Sequence, residues 1–297
     1  MTLVSVVTPC LNPGPRLERC LESVAAQTHP DVEHIVIDGG STDGTVGLLE
    51  RAQVRYVSEP DDGQTHAIVK GFGLASGRLL TWLNADDELL PRAVAHAVET
   101  GAAWTYGDCA VVEDGRRSVW RPLPRFGPWA IDAGEMIPQP GSFFSRPAFD
   151  RAGGLDPTFE LAMDVDLWIR LVDAGVAARY VPEVLAVFEI HPGSKTGSVG
   201  RPGFLLEHAL ALAKSGRTRA ASAAVGRAVA LGAPSSRLPA FADPAIVREA
   251  ARAEDAIERL RERDLRGVRP LLARGTWRTP EVRSRVVAAG RRALRRG

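Results

Sequence analysis

The sequence is poor in the residues that mark several protein classes. Its 297 residues include only three cysteines, Cys10, Cys20 and Cys109. An odd number without zinc-ligand or redox spacing reads as reduced thiols filling a core. No uninterrupted apolar run reaches the about 18–20 residues that span a bilayer. Met1-Thr2-Leu3-Val4-Ser5 lacks the basic-then-apolar order of a secretory leader. The expectation is a cytoplasmic chain. No Gly-x-x-x-x-Gly-Lys-Ser/Thr loop is present, and no Gly-x-Gly-x-x-Gly follows the first apolar run. These absences argue against a P-loop nucleotidase and a dinucleotide-binding redox fold. Lysine is scarce as well: Lys70, Lys195 and Lys214 stand among 37 basic residues.

What is present is ordinary globular material, 45% hydrophobic and 25% charged. The length allows one large domain or a domain with an appendage. A net charge of +1 hides an asymmetry, because residues 251–297 hold 14 Arg against 6 Asp plus Glu. The body is therefore mildly acidic and the tail basic.

The first half alternates regularly. Val4–Thr8, Glu33–Ile37, Val54–Ser58, Leu79–Leu83 and Ala103–Tyr106 read as strands. Between them, Leu17, Cys20, Leu21 and Val24 fall at helical spacing, and further helices are expected from near Asp43, over Gln64–Ala75 and from Pro91. This rhythm implies an α/β fold with a mostly parallel sheet covered on both faces. From about Asp108 the pattern changes. A hairpin is expected at Glu113-Asp114-Gly115-Arg116, irregular chain through Pro140, a strand at Gly141–Ser145, a helix over Met163–Ala174 and extended chain over Tyr180–Ile190. After about residue 200, Phe204–Leu231 reads as a helical hairpin broken at Ser215-Gly216, and Arg248–Arg266 as a charged helix. The expected domains are thus 1–200 and a helical, Arg-rich region 201–297.

Open parallel sheets bind ligands beyond the carboxyl ends of their strands. There the polar residues collect: Thr8-Pro9-Cys10-Leu11-Asn12, Asp38 with its Gly/Ser/Thr turn, Glu59-Pro60-Asp61-Asp62-Gly63, and Asn84-Ala85-Asp86-Asp87. One acidic end is ordinary turn chemistry. Several converging carboxylates repel one another unless a cation sits among them, and hard oxygen ligands suit Mg²⁺ or Mn²⁺ with substrate phosphates.

These ordered motifs resemble the inverting glycosyltransferases of family 2. The resemblance runs through Val6-Val7-Thr8-Pro9 and Asn12, then Asp38-Gly39-Gly40-Ser41-Thr42-Asp43-Gly44-Thr45 and Ser58-Glu59-Pro60-Asp61-Asp62-Gly63-Gln64. It continues in Trp82-Leu83-Asn84-Ala85-Asp86-Asp87, Asp164-Val165-Asp166-Leu167-Trp168-Ile169-Arg170 and His191-Pro192-Gly193-Ser194-Lys195, covering roughly residues 3–196. It implies the GT-A fold, a nucleotide-sugar donor with UDP favoured, a divalent metal, and a hydroxyl acceptor on a glycan, a lipid-linked molecule or a small molecule.

The same resemblance assigns roles. Thr8, Pro9 and Asn12 would line the base and ribose pocket, with Asp38 facing the base and Asn84 and Asp86 near the ribose and metal. Asp86 or Asp87 would hold the metal, with His191 as a further ligand or diphosphate contact, or as a loop residue. Lys195 would meet the phosphates. Asp164 would be the general base, while Asp166 and Arg170 have the spacing of a helix ion pair. Gln139 and Trp168 are acceptor-side candidates, set against a turn residue and a core ring. Four positions depart from the family pattern: Gly39 and Met163, where relatives often have an acid, Asn84, where Asp is common, and Ile68, where Arg is common. Lys70 either supplies that missing cation or is an exposed helix residue.

Two rivals remain. A nucleotidyltransferase would want a Gly-rich basic loop after strand one, which Asn12-Pro13-Gly14-Pro15-Arg16 matches poorly. A non-catalytic nucleotide-sugar-binding or scaffold protein of the same fold fits the departures. In the tail, Arg283, Arg285, Arg291, Arg292, Arg295 and Arg296 form an acid-free cluster. It reads either as a segment lying peripherally on the inner face of an anionic membrane or as a solvated or homodimer-contact helix. No nucleic-acid module accompanies this charge.

Overall fold

The computed structural model describes residues 2–195, 200–233, 239–261 and 282. It forms two compact units, Met1–Gly127 with Met136–Ser198, and Pro128–Glu135 with Val199–Gly297. The tail arginines 283–296 and the expected helix beyond residue 261 lie outside the described residues.

The first unit alternates as its periodicity requires. β1 (Val4–Cys10), α1 (Arg16–Ala25), β2 (Val32–Asp38), α2 (Thr45–Ala52), β3 (Arg55–Ser58), α3 (Gln64–Leu74) and β4 (Leu79–Trp82) come first. β5 (Glu88–Leu89), α4 (Ala93–Thr100), β6 (Trp104–Glu113) and β7 (Arg116–Trp120) follow. After α5 (Pro128–Asp132), which belongs to the second unit, come β8 (Phe143–Ser145), α6 (Arg146–Arg151), α7 (Met163–Asp173) and β9 (Ala178–Ile190).

The nine strands form one sheet, ordered β3-β2-β1-β4-β8-β6-β9-β5, with β7 beside β6. β3, β2, β1 and β4 pair in parallel, and so do β6 and β9. The short β8 runs antiparallel between β4 and β6, so the long strands all point one way, while β5, β7 and β8 oppose them. The sheet is therefore mixed α/β. The expected fifth strand runs on to Glu113 and carries the expected hairpin, whose turn residues Asp114 and Gly115 have φ of 50° and 72°. Two consecutive positive φ angles give the turn a twist that suits a two-residue hairpin. In β9, Pro182 and Glu183 fall at an irregularity of the β6 pairing, where Val181 faces Gly107 and Val184 faces Asp108. Proline has no N–H for the ladder and sits where the ladder is broken.

Period-two alternation divides β1 between the sheet's faces. Cys10 joins Leu17, Leu21, Val36 and Leu49 in a cluster with α1 and α2. Val7 faces α3, where a Cβ on Gly71 would lie 2.3 Å from Val7 Cγ1, so only glycine permits that helix–strand distance. Farther along, Trp168 is 1% exposed and stacks with Trp104 at 5.2 Å and Trp82 at 6.0 Å between ring centres.

In the second unit, α8 (Gly200–Lys214), α9 (Thr218–Ala230) and α10 (Pro244–Arg261) pack through small residues. Ala223, Ala250 and Ala253 form a buried cluster with Val282. A Cβ on Gly226 would come within 2.4 Å of the Val247 carbonyl oxygen, so α9 and α10 meet almost backbone to backbone. Arg217 pairs with Asp132 at 3.2 Å, tying α5 into this unit. No helix among the described residues is long and apolar enough to cross a membrane.

Candidate active site

The ends of β1 and β2 are locked together from within. Asp38 is fully buried and accepts hydrogen bonds from Ser58 Oγ at 2.6 Å, from the Ser41 N–H and from the Ser41 hydroxyl. The Cys10 thiol lies 3.7 Å away as a further donor, and burial together with Asp38 pushes its pKa up, so it stays protonated. Asn12, at a φ of 48°, donates its backbone N–H to Ser41 Oγ at 2.7 Å and accepts the Thr42 N–H on Oδ1 at 2.8 Å. A carboxylate with this many internal donors and no exposure ties the two loops together. Alternation sends Thr8 inward to His34 Nε2 at 2.8 Å. Pro9 is buried on the strand beside it.

The end of β4 is different. Asn84 accepts from Gln64 Nε2 at 2.7 Å and donates Nδ2 to Asp87 Oδ2 at 3.2 Å. Asp87 is 1% exposed and accepts the Glu189 N–H at 3.1 Å. Burial, with Asp86 beside it, pushes the Asp87 carboxyl well above the ordinary carboxylate range. Asp86 turns the other way and meets His191 Nε2 at 3.1 Å, the two side chains 23% and 15% exposed. His191 Nδ1 accepts the Gly193 N–H at 3.1 Å, which leaves Nε2 as the ring nitrogen that faces Asp86. Of the two consecutive acids, Asp86 is the accessible one.

Asp164 stands half-buried in the first turn of α7, where its Oδ1 accepts the Val165 N–H at 2.8 Å. The helix dipole favours a negative charge there. Asp166 is buried and its Oδ2 is held by Arg170 Nε at 2.9 Å, the ion pair its spacing implied. Arg170 also donates to the carbonyls of Ala152 and Gly154, which makes this pair a clamp on α6's exit. Lys195 donates Nζ to the Glu160 carbonyl at 2.8 Å, just before that helix.

Trp168, Gln139 and Lys70 each have partners within the protein. Trp168 is a core ring, enclosed by Trp82 and Trp104, and offers no face to a sugar. Gln139 is 8% exposed and donates Nε2 to the Trp82 carbonyl at 2.8 Å, which supports the end of β4. Ile68 is core, and Lys70 on the same helix pairs with Glu59 at 2.7 Å. Gln64 carries a role the motif reading did not give it, because its bond to Asn84 links the start of α3 to the end of β4. Its place directly after Gly63 was the available signal.

Comparison with known proteins agrees with this geometry. The profile described as Glycosyl transferase family 2 matches residues 5–150. A PGL/p-HBAD biosynthesis glycosyltransferase of Mycobacterium bovis is 37% identical over 201 residues, 63% of this chain and 76% of that protein. Among solved structures, S. aureus TarS 1–349 in complex with UDP-GlcNAc superposes with a TM-score of 0.64 at 15% identity, covering 91% of this chain and 90% of that one. Against a longer TarS chain the match spans 43% of its length. The mannosyltransferase PcManGT from Pyrobaculum calidifontis, in complex with GDP-Man and Mn²⁺, gives a TM-score of 0.54 at 23% identity over 99% of this chain and 87% of that one. With the profile, the relative and the GT-A architecture all in agreement, the chain belongs to glycosyltransferase family 2.

Proposed function

We propose that the protein is an inverting glycosyltransferase, moving a sugar from a nucleoside-diphosphate donor, with UDP favoured, to a hydroxyl acceptor. The observation that carries this reading is the division of labour at the end of β4. Asp87 is buried to hold β9, which leaves Asp86 and His191 paired at an accessible edge. The neighbours bound to UDP-GlcNAc and to GDP-Man with Mn²⁺ support it by analogy of fold.

A carboxylate and an imidazole suit Mn²⁺, with Mg²⁺ the harder alternative. Among the described residues no three His, Cys, Asp or Glu side chains form a ready-made cage. A two-residue site fits an ion whose remaining positions go to water and diphosphate oxygens. Such an ion, when bound, supplies positive charge to the departing diphosphate. Lys195, whose Nζ donates to the Glu160 carbonyl, would bring a cation to the diphosphate.

Asp164 takes the acceptor hydroxyl's proton as that oxygen bonds to the anomeric carbon. The bond from that carbon to the diphosphate oxygen breaks on the opposite face, its electron pair leaves with the nucleotide, and configuration inverts. General-base assistance of this kind is worth about 10²–10⁴ in rate. Acceptors in view are glycan, lipid-linked and small-molecule hydroxyls. A lipid-linked one would bring the arginine-rich segment 283–296 to anionic headgroups at the inner membrane face.

Calorimetry with UDP, GDP, ADP and CDP, with and without Mn²⁺, tests the donor site. Metal-dependent binding of one nucleotide is expected, and a folded protein that binds none of them would overturn the reading. Donor binding without turnover on any acceptor class would favour a nucleotide-sugar-binding protein instead.

A further inference from the structure

The ends of β1, β2 and β3 lie side by side, and past them the chain leaves an unusual gap in side chains. The Gly39 N–H bonds the Cys10 carbonyl at 2.9 Å, and the Glu59 N–H bonds the Asp38 carbonyl at 3.0 Å. The middle loop therefore runs Gly39-Gly40 between Leu11 on one side and Pro60-Asp61 on the other. Leu11 is 61% exposed, an apolar side chain held in the open beside a polar loop. Asp61 leans over Gly39: a Cβ there would sit 3.1 Å from Asp61 Oδ2 and 3.3 Å from Oδ1. Asp61 Oδ1 accepts the Gly63 N–H at 2.8 Å, which fixes the carboxylate in place. Oδ2 has no partner among the described residues, and the side chain is only half-buried.

The nearby acid that might have served is spent, because Asp38 is enclosed and occupied by Ser41 and Ser58. Resting on the donor reading above, we infer that Asp61 is the specificity-determining residue for the nucleobase, reading its hydrogen-bonding edge while Leu11 and the bare Gly39-Gly40 backbone receive its flat face. A carboxylate only accepts hydrogen bonds. Uracil N3–H and guanine N1–H with N2–H are donors at that edge. Adenine N1 and cytosine N3 are acceptors there, so those bases offer the carboxylate only an exocyclic N6–H₂ or N4–H₂ with a ring lone pair beside it. Asp61 thus favours uracil- and guanine-type donors over adenine and cytosine.

The test is calorimetry on the full chain with UDP, GDP, ADP and CDP at fixed Mn²⁺. The wild type is expected to prefer UDP or GDP. Asp61→Asn keeps an oxygen for the Gly63 N–H, so the loop is retained, yet it should lower affinity for the preferred nucleotide by about tenfold or more. ADP and CDP should weaken little or improve, closing the gap. Gly39 has an ordinary backbone conformation, so a double variant, Gly39→Asp with Asp61→Ala, returns a carboxylate to the same space and should restore the preference. An unchanged ranking in Asp61→Asn, or equal weakening of all four nucleotides, overturns the inference and leaves the donor reading standing. A wild type that binds none of the four overturns both.

Discussion

The β2 and β4 ends both terminate in acids, and they use them in opposite ways. At β2 the carboxylate of Asp38 is turned inward and satisfied by its neighbours' hydroxyl and amide donors. At β4 the inward role falls to Asp87, and Asp86 is left to face outward with His191. Acidity at a strand end is thus no guide to function by itself. Burial and a filled set of hydrogen bonds mark the organising acids, and an accessible partner marks the ones available to a ligand.

The sharpest way to use this contrast is the acid of α7. Asp164→Asn should lower turnover by about 10²–10⁴ while calorimetric donor binding survives; retained turnover would remove Asp164 as the base. Next, Asp38→Ala and Asp86→Ala should part company. The first strips acceptors from buried donors and should cost about 2–4 kcal/mol of stability in urea unfolding. The second should cost less than about 1 kcal/mol and abolish the Mn²⁺-dependent part of nucleotide binding. If Asp38→Ala left stability intact, the contrast would collapse.

His34 offers a smaller, pH-dependent check on the closed end. Burial lowers its pKa from 6.5 to about 4, so the unfolded chain takes up this proton at a higher pH than the folded one. Its contribution to stability is therefore full above about 6.5 and falls as the pH drops from there towards about 4. Urea midpoints across that range should decline less steeply in His34→Gln. Least affected should be Lys70→Ala: its partner Glu59 is 58% exposed, and pairs of that kind are worth about 0–1 kcal/mol in thermal or urea unfolding.

The parallel half of the fold is legible because each strand and helix announces itself locally. Leu17, Cys20, Leu21 and Val24 needed only helical spacing, and the Asp114-Gly115 turn only its residue types. β5, two residues long, carries no periodicity and exists through its pairing with β9, far along the chain, whereas β8 falls inside the strand expected at Gly141–Ser145. The site divides along the same line. The ion pair of Asp166 with Arg170 follows from spacing four apart on one helix. The choice between Asp86 and Asp87 depends on the N–H of Glu189, 102 residues away, and nothing near residue 87 encodes it. Thr8 lay within reach of simple alternation, which places it on the same face of β1 as Cys10.

Asn84 shows why a departure from the common motif is no defect in this setting. Its amide has a direction: the oxygen receives a proton from Gln64 and the nitrogen passes one on to Asp87. Asp87 in turn is met from β9 by the Glu189 N–H. Every link in this relay from α3 to β9 has one giver and one taker. A carboxylate at position 84 would be a taker twice over, set against the buried oxygen of Asp87, and the relay would close only by capturing an extra proton. The neutral amide lets one acid stay hidden and leaves the next free to turn outward.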